Sequence, residues 1–88
     1  MRYEVYFWDE NEVKSCCEKY GEFDLKYETK NTIGKQGTCI MRTNNSVDAR
    51  MVAITKPENI SGITAIWDIE HWKWIEHFNK IKERRNIT

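Results

Sequence analysis

Residues 3–8, Tyr-Glu-Val-Tyr-Phe-Trp, are aromatic or β-branched at nearly every position, which predicts an opening strand. Alternation puts Tyr3, Val5 and Phe7 on one face and Glu4, Tyr6 and Trp8 on the other. Asp9 follows with Glu12 three residues on, the pattern of a capping box at a helix start. Val13, Cys16, Cys17 and Tyr20 then recur at helical spacing, and Gly21 supplies a stop. Phe23, Leu25 and Tyr27 alternate with Asp24, Lys26 and Glu28, which predicts a half-buried second strand.

Gly34-Lys35-Gln36-Gly37 reads as a plain turn. The backbone clamp of KH-type RNA binders joins two helices, whereas both flanks here look like strands, and no Gly-Lys-Ser/Thr follows to make a phosphate loop. Thr38–Thr43 and Ala49–Thr55 read as a hairpin around Asn44-Asn45-Ser46. The register that matches like with like sets Met41 against Met51, Ile40 against Val52 and Cys39 against Ala53, and leaves Arg42 opposite Arg50. Pro57–Gly62 is a loop and Ile63–Trp67 a short last strand. Asp68 then caps a final helix from Ile69 to about Arg85, whose apolar stripe is Trp74, Ile75, Phe78 and Ile81. The expected fold is a single α+β domain spanning residues 1–88. It is an antiparallel sheet of four to five strands with two helices packed on one face, in the order β-α-β-β-β-(β)-α.

Composition narrows the class. The 88 residues leave no room for a cofactor domain beside a catalytic one, and 40% hydrophobic with 32% charged residues describes a soluble globular chain. Fourteen basic and fourteen acidic side chains cancel, which argues against a uniformly basic nucleic-acid coat and against an acidic mimic. The cancellation is segmental: residues 1–28 carry −4, 29–56 +4, 57–70 −3 and 71–88 +3. Ten Ile, nine Lys and seven Asn against one Leu suit AT-rich coding, as in phages and low-GC bacteria. Charges within the first four residues and the lack of any long apolar run predict neither a signal peptide nor a membrane span. Three cysteines, two of them adjacent, predict free thiols in a reducing cytoplasm. Cys16, Cys17, Cys39, His71 and His77 lack metal-ligand spacing, so neither metal nor cofactor is expected.

Catalysis finds no foothold. His71 and His77 fall on different faces of the expected helix, and no nucleophile–base arrangement declares itself. Recognition has three candidates. Trp72 lies off the helical stripe and is placed to anchor a partner. Tyr6 and Trp8 face away from the helices, which predicts an exposed patch for a protein partner or a homodimer. Arg42 and Arg50, with Asn44 and Asn45 nearby, are placed to hold a phosphate or carboxylate. The expected function is therefore a small non-enzymatic cytoplasmic binding protein, an inhibitor or modulator acting by protein–protein contact. Its profile is that of phage accessory proteins of the anti-defence kind. The alternative is a nucleic-acid or nucleotide-binding module in which Arg42, Arg50, Lys30 and Lys35 of a basic hairpin hold phosphate and exposed Tyr or Trp rings stack on bases.

Overall fold

The computed structural model describes residues 1–20 and 37–81. The expected strand at Phe23–Tyr27, the turn residues 34–36, Lys30, Lys35 and the chain from residue 82 onward lie outside the described residues. The elements are β1 (Tyr3–Asp9), α1 (Glu10–Tyr20), β2 (Thr38–Thr43), α2 (Ser46–Thr55), β3 (Gly62–Asp68) and β4 (Lys73–Asn79). The strands form one antiparallel sheet in the order β2-β1-β3-β4. The α+β class, with one four-stranded antiparallel sheet and two helices among the described residues, agrees with the expectation.

Two elements differ from it. Residues 46–55 are a helix, not the second arm of a hairpin. Asn45 starts it: its backbone is extended, and its side-chain oxygen accepts from the N–H groups of Val47 at 2.9 Å and Asp48 at 3.3 Å. An Asn followed three residues later by Asp is a helix-start signal, and it prevails here over the β-branched content of the segment. Residues 73–79 are a strand, not the core of a final helix. Asp68 does cap, but what it caps is a turn: its Oδ1 accepts from the N–H groups of Glu70 and His71. The chain then reverses into β4, as the aromatic and β-branched residues Trp74, Ile75 and Phe78 favour.

A bulge conceals the two-residue period of β4. Register runs Ile66 to Glu76 and then Trp67 to Trp74, which leaves Ile75 as the extra residue. Trp74 thereby joins the face of Trp67, while Glu76 and Phe78 take the other. A second bulge in β2 sits where Val5 pairs with Met41 and Tyr6 with Cys39. Among the described residues β2 and β4 are the outer strands of the sheet, and both are interrupted by a bulge.

The two helices lie on opposite faces of the sheet, rather than together on one. On one side α1 sets Val13 and Cys16 against Tyr6, Trp8, Ile63, Ala65 and Trp67. On the other α2 sets Ala49 and Ala53 against Tyr3, Val5 and Ile66. β1 and β3 are therefore covered on both faces, which is why nearly every residue of both is buried and why β1 is apolar on both sides. The expected exposed patch at Tyr6 and Trp8 is corrected accordingly. Tyr6 is 6% exposed and Trp8 fully buried, because α1 covers their face while α2 covers the other. Gly62 admits no side chain, since a Cβ there would run into the Trp8 carbonyl oxygen and the Phe7 ring. No helix among the described residues is long and apolar enough to cross a membrane.

Candidate interaction surface

The outward face of α2 is built by an inversion of the usual burial. A helix advances about 100° per residue. On that wheel Val47, Met51 and Ile54 share one stripe, and Ala49 and Ala53 lie on the opposite side. The alanines are fully buried, whereas Val47 is 66%, Met51 59% and Ile54 48% exposed. Two methyl side chains let α2 lie close to the sheet. Thr64 at the middle of β3 donates its hydroxyl to the Ala53 carbonyl oxygen and ties the helix down there. Arg50, on the flank of the stripe, reaches Glu76 of β4 at 3.2 Å. The small residues thus make the packing and the large ones meet solvent.

The stripe runs toward a cleft of about 430 Å³ at the C-terminal end of α2, walled by Ile54, Pro57 and Ile60 on the apolar side, with Asn59, Ser61 and Lys80 among its polar residues. The 56–61 loop that shapes it carries a cis Lys56–Pro57 peptide and Asn59 in the left-handed region at φ 61°. A Lys56–Glu58 ion pair at 3.0 Å lies within this loop.

A second surface is the β3–β4 turn. Trp72 stands there at φ 54° and is 54% exposed, edge-on to buried Trp67 with ring centroids 5.1 Å apart. Beneath it Asp68 is buried. Its carboxylate meets His71 Nδ1 at 2.7 Å and the Arg2 guanidinium at 3.4 Å, and Arg2 also pairs with Glu70 at 3.2 Å. Burial pushes the Asp68 carboxyl pKa up. The hydrogen bonds from the His71 ring, Arg2 and the His71 backbone N–H outweigh that and hold it at about 2. The cluster fixes the turn that presents Trp72. Exposure of Trp72 agrees with the sequence expectation, although it stands on a turn and not on a helix flank.

The expected arginine pair does not assemble. Arg42 lies on the α1 face and meets buried Glu4 at 2.9 Å, while Arg50 lies on the α2 face and pairs with Glu76. The hairpin that would have set them side by side is replaced by the start of α2. Asn44 accepts from the Arg2 backbone N–H at 3.0 Å, and Asn45 caps α2. Both amide oxygens are thus engaged within the fold. Cys16 is buried in the core and Cys17 half-buried, both as free thiols. Among the described residues no group of His, Cys, Asp and Glu is arranged to hold a metal ion. Val47, Met51 and Ile54 escape a strand reading of 49–55. The helix wheel that follows from an Asn45 cap would have found them. The chain matches no protein-family model, no curated protein and no solved structure.

Proposed function

We propose that this chain is a small non-enzymatic binding protein of the cytoplasm that acts as an inhibitor or modulator by covering part of a partner protein's surface. One observation carries the reading: α2 turns Val47, Met51 and Ile54 to solvent while burying only alanines and part of Val52. α2 thus carries apolar residues on two opposite sides, and only the alanine side is covered. Three large apolar side chains in one exposed row are the composition of a contact surface, and Trp72 offers an aromatic anchor of the type enriched among binding hot spots. The phage accessory, anti-defence role belongs to this reading as its biological setting and rests on size and composition alone. A homodimer would use the same stripe. Phosphate binding has less behind it, since both arginines invoked for it are engaged by carboxylates on opposite faces of the sheet.

Affinity capture from cell lysate, with and without nuclease, tests the proposal. The native chain should retain a protein that survives nuclease treatment, and Met51→Glu should lose it while remaining folded. Retention that disappears with nuclease, or that Met51→Glu leaves intact, would overturn the reading. Self-association of the native chain in sedimentation, abolished by Met51→Glu, would identify the partner as a second copy.

A further inference from the structure

The cleft at the end of α2 holds a cation that forms no ion pair among the described residues. Lys80 lines it and is half-buried. An ammonium has three N–H donors. One of them donates to the Lys56 carbonyl oxygen at 2.6 Å, and among the described residues Lys80 has no ion-pair partner. Glu58, the acid that also lines the cleft, is paired with Lys56. The residue is also fixed through its backbone. Its N–H donates to the Gly62 carbonyl oxygen at 2.8 Å, and its carbonyl accepts from the Ser61 hydroxyl at 3.3 Å. Ile54, Pro57 and Ile60 form an apolar wall in the same cleft.

We propose that this cleft binds a carboxylate carried on a short branched aliphatic group, with the Lys80 ammonium taking the charge and Ile54, Pro57 and Ile60 taking the hydrocarbon. The volume of about 430 Å³ lies in the range of small-ligand pockets. A single ammonium with two remaining donors matches a monoanion. A phosphate carries more charge and more acceptors than one lysine satisfies, and it has no use for the apolar wall. Burial lowers the Lys80 pKa, and a bound anion would oppose that shift. The site shares Ile54 with the outward stripe, but its cation lies off α2 and neither Val47 nor Met51 lines it.

The chemistry is shared by a free branched-chain acid and by the C-terminal leucine of a peptide, and one experiment separates them. The ¹⁵N-labelled full chain is titrated with isovalerate, isovaleramide, acetyl-glycyl-leucine and its C-terminal amide. Backbone amide shifts are followed by NMR. Isovalerate or the free peptide acid should saturably move the signals of Ile60, Ser61 and Lys80, and the matching amide should bind at least about tenfold more weakly. Lys80→Met should lose that preference, and Lys80→Arg should keep it. Tighter binding of the peptide acid assigns the site to a protein terminus, and tighter binding of isovalerate assigns it to a free acid. Equal binding of acid and amide, an unaltered preference in Lys80→Met, or no shift at these residues would overturn the proposal. Should Lys80→Met fail to fold, the acid–amide comparison on the native chain and on Lys80→Arg decides. Met51→Glu should leave this site intact, so its failure and that of the stripe are distinguishable.

Discussion

The two helices cover opposite faces of one sheet and do so by opposite means. α1 follows the usual division: Val13 and Cys16 go inward, while Asn11, Lys14, Ser15 and Glu18 face water. The face beneath it is where the large rings collect, with Trp74 edge-on to Tyr6, Trp8 and Trp67 at centroid distances of 5.7, 5.5 and 4.9 Å. α2 puts alanines inward and its larger residues outward. One helix is finished as a surface and the other is not. The contrast separates a face whose large residues are packed inward from one whose large residues meet solvent.

The largest expected effect lies on the α1 side. Trp8→Ala removes a fully buried ring from the aromatic cluster and should cost about 3–5 kcal/mol in denaturant unfolding. The same truncation at Met51, which is 59% exposed, should change stability by no more than about 0.5 kcal/mol. Comparable losses at the two sites would contradict the division. Next in size is Ala53→Leu. Ala53 has no exposure, so the added carbons must lift α2 off the sheet. Overpacking there should destabilise by about 1–3 kcal/mol and weaken Arg50–Glu76 with it. An unchanged melting temperature would show that α2 is not seated by its alanines.

A smaller effect concerns the turn below Trp72. The Asp68 carboxyl lies at about 2 in the folded chain, below its ordinary 3.8. Its ionised form is thus favoured by folding. This contribution is fully present above the ordinary value and fades as the pH falls toward 2. About 1–2 kcal/mol of stability should be lost across that window, and Asp68→Asn should flatten that part of the pH–stability curve. A variant curve parallel to the native one would remove the carboxylate from the account.

Much of this arrangement was legible from the residues. The aromatic run of β1 marked a strand, and Asp9 and Glu12 form the reciprocal cap they suggested, at 2.8 and 3.2 Å. β3 falls where Ile63–Trp67 placed it. The two misread elements failed for physical reasons. Asn44-Asn45-Ser46 carries turn chemistry and capping chemistry at once, and only the Asp48 position distinguishes them. In β4 the Ile75 bulge shifts Trp74 out of phase with Phe78, so the apolar positions imitate a helical period. The candidate surface suffered most. Apolar residues on both faces of β1 suggested an exposed patch on a two-layer fold, but in three layers they are core. The exposed apolar residues lie instead on the outside of the helix that supplies the third layer.

Site-specific photo-crosslinking compares the two faces most directly. With p-benzoylphenylalanine in place of Met51, irradiation in cell lysate should trap a discrete protein adduct, and in place of Lys14 on the outer face of α1 it should trap none. Adducts from position 14 alone, or equal adducts from both positions, would contradict the assignment of α2 as the contact face.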